Sequence, residues 1–485
     1  MNIISFAYPR FANCRDRLGK GFRYGSTFAD SIQGLLGQAK NGAFRNDSWF
    51  ADTQKKTVTL LHPPGACSAF TRSGSQYPPL GLLQLKSVIG DTNRVDVLEA
   101  DGFGWSNEET VNEIKKDPPL AVGMTVTCGT KKLTNTWSTV VKNLSSQYDP
   151  IVIVGGPAAA FETPSIMEEC PNVDVVVKGE GEVTFPKIVS VLEKYKTDRV
   201  AALKQMAKIA GVVVRNYPNP QNDNSIPNLP KEAFEDMPFP DLSASPVEKY
   251  RAPDALQTPM VTMMTQRGCI ASCAFCNTPQ IHGQSIRGWT NEQVIEQLLL
   301  LKEQHGIKQV SFVDDVFTNR RGGPRKVCEL MVKNGLGLTW YCNARADQIT
   351  PKMAQAMKQA GCHQVFLGFE SGCDEMLKRI HKGETVADLE RGSRILKEAG
   401  IAISIGFIVG LPGETEASVQ KSIDLCHRVQ PDRVQFTRFT PIPGSKIAND
   451  HGDIADTSFH DRSQKDQVES WLQKCYAECQ YKPSV

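Results

Sequence analysis

Short apolar runs alternate with amphipathic stretches through most of the chain. In the first half, runs that predict β-strands lie at 57–61, 94–98, 120–125 and 151–154. Between the first two, Tyr77–Ile89 begins with prolines and then repeats leucines at helical spacing, which predicts a helix. Because alternating strands and helices build a parallel sheet covered on both faces, we expect a doubly wound, Rossmann-like α/β domain over residues 56–215.

A second alternating series begins at Met260. Its predicted strands are Val261–Thr265, Gln309–Val313, Leu338–Cys342, Gln364–Gly368, Ala402–Val409 and Arg433–Phe439. Thr290 and Gln293 have the spacing of a capping box, and apolar residues follow them at helical spacing. Gly361 and Gly400 each follow an alanine before a strand, as glycines that end helices do. Six βα units predict a partial (β/α)6 barrel over residues 254–447, with its chemistry at the carboxyl ends of the strands.

Three further segments lack this alternation. Residues 1–55 are rich in Gly, Arg and Asn with weak periodicity, and form an N-terminal extension whose role stays open. Residues 216–253 are rich in Pro, Asn, Asp and Ser, which predicts an interdomain linker. Residues 448–485 predict a polar, helical C-terminal tail. Cys475 and Cys479 share a helix face there, as unremarkable thiols or as a two-ligand metal site.

Composition and charge narrow the classes of partner. The 485 residues include 55 Lys plus Arg and 53 Asp plus Glu, a net charge of +2, which gives no long-range field to attract nucleic acid or an anionic membrane. The start of the chain lacks the pattern of a secretory signal, and no apolar run has the length of a membrane span. We therefore expect a soluble, cytoplasmic protein. Its 14 cysteines should then be thiols rather than disulfides.

Cys269, Cys273 and Cys276 follow the first predicted barrel strand at spacings of four and three residues. Three thiolates from one loop can hold a [4Fe–4S] cluster and leave one iron open, whereas four would saturate it. An open position is what a catalytic metal needs. Phe275 would shield such a cluster from water. Spacing alone leaves two alternatives open, which are a zinc ion with His282 as fourth ligand and inert core cysteines.

The Cys-x3-Cys-x2-Cys spacing resembles the signature of the radical S-adenosylmethionine (SAM) superfamily. Five further segments resemble its strand-end motifs in order: Phe312–Phe317, Trp340–Arg345, Gly368–Gly372, Gly406–Glu414 and Pro441–Ser445. The resemblance implies that SAM chelates the open iron of a [4Fe–4S] cluster. It also implies that a one-electron reductant such as flavodoxin or ferredoxin drives SAM cleavage, and that the resulting 5′-deoxyadenosyl radical abstracts hydrogen from a small-molecule substrate.

The same resemblance implies SAM contacts at Phe275, Asp314, Asp315, Arg345, Glu370, Ser371, Gly406 and Gly410. The two aspartates match positions that meet the methionine amino group, although one of them could instead cap the next helix. Arg345 could meet the SAM carboxylate, a substrate anion, or only Asp347. The glycines would allow the backbone to approach adenine. No catalytic acid or base is identified.

Residues 57–190 are similar to the cobalamin-binding domain of one radical SAM subgroup, through Tyr77–Leu83, Val154–Pro157 and Lys178–Phe185. The implied cobalamin contacts are Thr125, Thr127, Gly129, Gly155, Gly156, Gly179 and Glu180, although ordinary strand-to-helix turns would look the same. Residues 101–106 have Phe103 where cobalamin mutases have an axial histidine, and no His lies between 63 and 281. The resemblance therefore implies cobalamin bound without such a histidine.

Together these resemblances imply an N-terminal Rossmann-like cobalamin-binding domain followed by a radical SAM partial barrel. The implied activity is methyl transfer to an unactivated carbon or to phosphorus of a small metabolite, through a 5′-deoxyadenosyl radical and methylcobalamin. A non-methylating ring cyclase or ring-contracting enzyme is the first alternative. A non-catalytic cobalamin or iron–sulfur sensor is the second.

Overall fold

The computed structural model describes residues 57–67, 76–90, 94–127, 129–144, 149–219, 226–252, 255–320, 322–450 and 462–479. The predicted N-terminal extension, residues 1–55, lies outside this described part. The rest of the chain divides into two compact units, one ending at Pro253 and the other beginning at Asp254.

The first unit is built on a six-stranded sheet. Its strands are β1 (Val58–His62), β2 (Val95–Glu99), β3 (Ala121–Thr125), β4 (Ile151–Gly155), β5 (Val175–Val177) and β6 (Val212–Val214). Their order is β2-β1-β3-β4-β5-β6, with β6 antiparallel and every other pair parallel. The predicted doubly wound sheet is confirmed. The sequence did not predict β5 and β6, because runs of three valines are too short to show a period.

Helices cover both faces of this sheet. They are α1 (Leu80–Ile89), α2 (Ala100–Phe103), α3 (Asn107–Lys116), α4 (Lys131–Lys142), α5 (Thr163–Glu169), α6 (Gly181–Lys194), α7 (Arg199–Met206) and α8 (Lys231–Glu235), with 3-10 turns at Pro157–Ala160 and Val247–Lys249. The neighbouring residues Leu60 and Leu61 belong to two separate apolar cores. Because successive side chains of a strand point to opposite faces, both faces of the sheet are buried.

The segment predicted as an interdomain linker packs against the first unit. Phe234 and Tyr250 within it are fully buried. The Gln84 side chain of α1 donates a hydrogen bond to the Pro238 carbonyl at 2.6 Å, and the Tyr250 hydroxyl donates one to Glu99. Much of residues 216–253 is therefore part of the first domain's packing.

The second unit is an open, parallel barrel. Its strands are β7 (Met260–Met263), β8 (Gln266–Arg267), β9 (Arg287–Gly288), β10 (Gln309–Phe312), β11 (Thr339–Ala344), β12 (Cys362–Glu370), β13 (Ala402–Val409) and β14 (Arg433–Arg438). Six of them form a sheet of order β14-β13-β12-β11-β10-β7, all parallel. The predicted partial (β/α)6 barrel is confirmed. Strands β8 and β9 form a short antiparallel pair that frames residues 268–286.

Helices follow most of the strands of the second unit, and the one helix start and two helix ends that the sequence predicts are present. They are α9 (Thr278–His282), α10 (Asn291–His305), α11 (Pro324–Lys333), α12 (Pro351–Gln359), α13 (Asp374–Arg379), α14 (Val386–Glu398), α15 (Glu416–Val429), α16 (Lys446–Asp450) and α17 (Arg462–Glu478), with 3-10 turns at Phe317–Asn319 and Ala346–Gln348. The Thr290–Gln293 capping box is present at the start of α10. Gly361 and Gly400 have φ values of 96° and 72°, the left-handed conformation that the prediction requires.

Residues of β13 alternate between buried and partly exposed along the strand. One face of the sheet therefore packs against the helices, and the other lines the partly open interior of the barrel. Within the ranges described above, no helix has both the length and the apolar character needed to cross a bilayer.

Candidate cluster and cofactor sites

The three predicted cluster cysteines lie on one loop between β8 and α9, beyond the carboxyl end of β7. Gly268 begins this loop with a φ of 104°, and a Cβ there would lie 2.3 Å from the Ser285 carbonyl oxygen. The far side is fixed by Ala274, whose N–H donates to the Ile380 carbonyl at 2.8 Å and whose carbonyl accepts from Ile447 at 2.9 Å. The backbone that presents the thiols is therefore anchored to three other parts of the unit.

Burial raises the pKa of all three thiols, and that of Cys276 to about 12. The Thr278 N–H points at the Cys276 sulfur at 3.4 Å and partly offsets this cost. For Cys273 the charges of Lys382 and Arg345 lower the pKa, whereas those of Glu370 and Glu384 raise it. Thiolates in this setting need a metal's positive charge, and the two cations suit an anionic cluster.

The three sulfur atoms do not converge as the ligands of one metal ion would. Thiolates around a tetrahedral zinc, each about 2.3 Å from it, lie roughly 3.8 Å apart. Across the described ranges, one group of three ligating side chains has its donor atoms within 4.8 Å of one another, and it is His62, Cys67 and Asp101. Neither the three loop cysteines nor any set with His282 meets that limit. Three thiols held apart on one loop fit a multi-iron cluster better than zinc.

The two aspartates after β10 have different tasks. Asp314 is fully buried, and its carboxylate accepts the Thr265 N–H at 2.5 Å, the Thr265 hydroxyl at 2.6 Å and the Gln266 N–H at 3.2 Å. Burial raises its pKa to about 6, although Arg320 and these hydrogen bonds oppose the shift. Asp314 thus ties the end of β10 to the end of β7. This fits the alternative that one of the pair is structural, although it is not a helix cap.

Asp315 instead faces the cysteine loop. One carboxylate oxygen accepts the Gly268 N–H at 3.0 Å, and the other lies 3.5 Å from the Thr278 hydroxyl. It therefore holds both ends of the segment that carries the cluster ligands. A SAM contact at Asp315 remains a prediction.

A buried network of charges lies beside the cysteine loop. Lys382 Nζ is 3.0 Å from Glu370 Oε1 and 3.4 Å from Glu384 Oε2, and Arg345 Nη2 is 3.6 Å from the same Glu384 oxygen. All four residues are at most 8 % exposed. Glu370, one of the predicted SAM residues, has a φ of 61° at a break in the β12–β13 register. Such strain in a non-glycine residue typically marks a functional site.

Arg345 also makes two contacts of 3.1 Å with Asp347, as one of the sequence alternatives proposed. Lys382 and Glu384 are residues that sequence reasoning missed. They lie in a polar turn between α13 and α14, which looks like solvated surface. The sequence signal that could have found them is the capping box at Thr385. It marks a helix start, so the residues directly before it form a turn at the edge of the barrel.

The remaining predicted SAM residues have structural partners of their own. Ser371 is fully buried, and its hydroxyl accepts the Cys373 N–H at 3.3 Å. Gly406 lies on the partly exposed face of β13, where a Cβ would lie 2.8 Å from the Phe366 ring. Gly410 has a φ of 90°. Phe275 packs against an apolar cluster around Ala274, and contact of these residues with SAM stays a prediction.

In the first unit, the carboxyl ends of β3 and β4 meet closely. Gly156 has a φ of 110°, and a Cβ there would lie 2.9 Å from the Val126 carbonyl oxygen, while the Val126 N–H donates to Gly155 at 2.7 Å. Thr125 and Gly129 are exposed at this edge, and the Thr127 N–H donates to the Thr130 hydroxyl at 2.8 Å. An exposed, glycine-lined edge at the carboxyl ends of a doubly wound sheet suits a nucleotide-like ligand such as the cobalamin tail.

Gly179 and Glu180 are used differently. A Cβ at Gly179 would lie 2.3 Å from the Pro227 carbonyl oxygen. The Glu180 N–H donates to that carbonyl at 2.8 Å, and its carboxylate accepts the Leu229 N–H at 2.5 Å. Both residues hold the following segment onto the domain, so the structure gives them a role beside the cobalamin contact that the sequence predicts.

Comparison with known proteins agrees with both domains. The Radical SAM superfamily profile matches residues 263–426, and the B12 binding domain profile matches residues 68–189. An uncharacterized methyltransferase of Pyrococcus horikoshii is 30% identical over 390 residues, which cover 80% of this chain and 82% of that protein. The anaerobic magnesium-protoporphyrin IX monomethyl ester cyclase of Rubrivivax gelatinosus is 25% identical over 410 residues, which cover 82% of this chain and 70% of that protein.

A solved structure has the same fold. It is the radical SAM methyltransferase TsrM from Kitasatospora setae with cobalamin and a [4Fe–4S] cluster bound, with a TM-score of 0.62 and 18% identity over 81% of this chain and 77% of that one. With both domains matched in order, the chain belongs to the radical SAM superfamily, in the group that carries a B12-binding domain, and its cofactors are a [4Fe–4S] cluster, SAM and cobalamin.

Proposed function

We propose that this protein is a cobalamin-dependent radical SAM methyltransferase that modifies an unactivated carbon, or phosphorus, of a small metabolite. The observation that carries the proposal is a cysteine loop that offers three thiols with no fourth ligand converging on them among the described residues, in a chain that also has a B12-binding domain. The similarity to the Pyrococcus methyltransferase runs through 80% of the chain and favours methyl transfer.

Three groups of residues would serve the cofactors. Cys269, Cys273 and Cys276 would hold the cluster. Lys382 and Arg345 are buried cations that act on Cys273, and they suit the carboxylate of a SAM molecule bound there. When bound, the cluster and SAM supply a 5′-deoxyadenosyl radical, and cobalamin supplies the methyl group. The chain's own work is to orient these groups and to exclude water.

Glu370 would meet the amino group of SAM. Its carboxylate already pairs with Lys382 at 3.0 Å, so a bound ammonium group would share that charge. The strained φ of Glu370 places the carboxylate at the carboxyl end of β12, where barrel chemistry occurs. The cluster also needs a one-electron donor, for which we propose a flavodoxin or a ferredoxin.

The test is anaerobic turnover of the reconstituted protein with SAM, cobalamin and dithionite. A methyltransferase should release 5′-deoxyadenosine together with S-adenosylhomocysteine. Cys273→Ala should abolish 5′-deoxyadenosine release, whereas Cys328→Ala, a buried thiol on α11, should retain it. No 5′-deoxyadenosine from the cluster-loaded protein would contradict the proposal and favour a sensor.

A ring cyclase is the second candidate, favoured by the similarity to the Rubrivivax cyclase over 82% of the chain. A cyclase would release 5′-deoxyadenosine without a matching amount of S-adenosylhomocysteine. Because the first methyl transfer goes to cobalt and needs no substrate, one S-adenosylhomocysteine per bound cobalamin identifies the methyltransferase before the substrate is known.

A further inference from the structure

A second group of metal-ligating side chains lies in the first unit, whereas the cysteine loop belongs to the second. His62 is the last residue of β1, Cys67 lies five residues later, and Asp101 lies in α2 directly after β2. One donor atom from each of these residues lies within 4.8 Å of the others. The two strands are neighbours with parallel register, so their carboxyl ends bring the three side chains together.

The imidazole of His62 has an unused donor or acceptor. Its Nδ1 atom is buried, and it has no hydrogen-bond partner within the described part of the chain. A buried polar atom without a partner costs free energy and requires an explanation, of which an absent ion is one.

The other two ligands are held in place by the backbone. The Asp101 carboxylate accepts the Gly65 N–H at 2.6 Å and the Cys67 N–H at 3.2 Å. The Tyr77 N–H points at the Cys67 sulfur at 3.5 Å. Metal ligands are commonly oriented by such outer contacts.

We propose that His62, Cys67 and Asp101 bind one divalent zinc ion, with a fourth position left for water or another ligand. Nitrogen, sulfur and carboxylate oxygen together are the donor set of zinc. Ligand atoms around one zinc ion lie roughly 3.3–3.8 Å apart, so the present spacing needs only small side-chain rotations. Three protein ligands with an open fourth position are typical of exchangeable, catalytic zinc rather than of structural zinc.

This site goes beyond the methyltransferase proposal and does not depend on it. The ion would tie the loop after β1 to α2 on the carboxyl edge of the sheet, the same edge that carries Gly155 and Gly156. Zinc binding can therefore fail while methyl transfer holds, and the reverse.

The test measures zinc in the full-length protein, purified anaerobically with its cluster and cobalamin filled so that the loop cysteines are occupied. We expect one zinc per chain after equilibration with a zinc buffer. His62→Ala and Cys67→Ser should weaken zinc at least about 100-fold, since loss of outer contacts alone costs about 10–100-fold. Cys170→Ser, a fully buried thiol after α5 in the same unit, should retain the zinc.

Cobalt(II) added in place of zinc gives a second readout. We expect a thiolate-to-cobalt charge-transfer band that Cys67→Ser removes and Cys170→Ser keeps. If His62→Ala does not fold, Cys67→Ser decides, because it preserves the size of the side chain. Equal zinc in all variants, or none in the unmodified protein, would overturn the proposal. So would imidazole coupling in the cob(II)alamin EPR spectrum that His62→Ala removes, since it would assign the histidine to the corrin cobalt.

Discussion

At the scale of single residues, Lys382 is the most consequential side chain of the barrel site. It is 7 % exposed and lies between two carboxylates, Glu370 and Glu384. Ion pairs of this kind gain little over an apolar core, because both charges lose water, but removal of one partner is costly. Its partner Glu370 has a φ of 61°, so the ammonium group pairs with the side chain of a residue whose backbone is strained.

Replacement of Lys382 by methionine should therefore lower the free energy of unfolding by about 3–5 kcal/mol, because the buried Glu370 carboxylate loses its cation and Glu384 keeps only Arg345. Lys382→Arg should lose less, since the charge remains. Urea unfolding of the cluster-free protein at pH 7 measures both. Lys474→Met is the matched control, since its partner Glu416 is mostly exposed and such pairs contribute below about 1 kcal/mol. A Lys382→Met loss as small as the control's would contradict the argument.

Glu414 supports the turn after β13, where its carboxylate accepts the Gly410 N–H at 2.5 Å. Burial raises the pKa of Glu414 to about 7 from its usual 4.5, and the backbone hydrogen bonds only partly oppose this. The folded protein therefore binds more protons than the unfolded chain between these pH values. The contribution of Glu414 to the free energy of unfolding is therefore fully present below pH 4.5 and is lost as pH rises through 7.

Glu414→Gln should remove this loss and make the protein more stable than the unmodified protein at pH 8 by about 1–3 kcal/mol. The gain should shrink toward pH 5, where the native carboxyl is protonated. Thermal or urea unfolding across this range measures it. Glu416→Gln, two residues later at the exposed start of α15, should show no such trend. A Glu414→Gln gain that is equal at pH 5 and 8 would refute the pH argument.

The two aspartates after β10 show where sequence reasoning stops at this scale. Asp314 and Asp315 are adjacent and chemically identical, so the sequence could assign both to SAM and leave one open as structural. The difference arises from burial, because Asp314 alone points between the ends of β7 and β10. The three cysteines were predictable because their spacing is fixed within one loop. Lys382 and Glu384 were not, since their partners come from other strands.

At the scale of elements, the edge strand β14 is protected by the C-terminal helix α17. The Tyr476 hydroxyl accepts the Phe436 N–H at 3.0 Å and donates to the Phe436 carbonyl at 2.6 Å. One side chain thus satisfies both backbone groups that a neighbouring strand would pair. An uncovered edge is a template for association between chains, which gives the helix a role in solubility.

Tyr476→Phe should lower the free energy of unfolding by about 1–3 kcal/mol, the cost of leaving partly buried backbone groups without partners. The phenylalanine ring keeps the edge-to-face contact with Phe436, so the change tests the hydroxyl alone. Urea unfolding measures the loss, and light scattering should show more association in the variant. An unchanged midpoint would mean that water replaces the hydroxyl without cost.

Elements were predictable where a local signal marks them. Thr290 with Gln293, and the glycines at 361 and 400, fix helix ends through contacts within a few residues, and the structure has them where the sequence puts them. The strands β5 and β6 escaped because three residues carry no period. Their existence depends on the neighbours that complete the sheet.

At the scale of the whole chain, the order of two domains was legible because each repeats strand and helix over more than a hundred residues. The segment before the barrel was harder to interpret. Its prolines predict a linker, whereas its isolated aromatic residues Phe234 and Tyr250 anchor it to the first domain. A lone apolar residue among prolines has no pattern, so only the folded domain reveals its partner.

The predicted cobalamin contacts all lie in the first unit, and the predicted SAM contacts all lie in the second. Each cofactor should therefore protect a different part of the intact protein. A ligand at 100 times its Kd stabilises the state that binds it by about 2.7 kcal/mol. Cobalamin should therefore slow amide hydrogen exchange at the carboxyl ends of β3 and β4, and SAM should slow it around the cysteine loop and Glu370. Cys273→Ala should abolish the SAM effect, because the cluster that SAM chelates is lost, and should leave the cobalamin effect intact. If cobalamin protects none of residues 121–160, the glycine-lined edge is not its binding site, and the assignment of Gly155 and Gly156 fails with it.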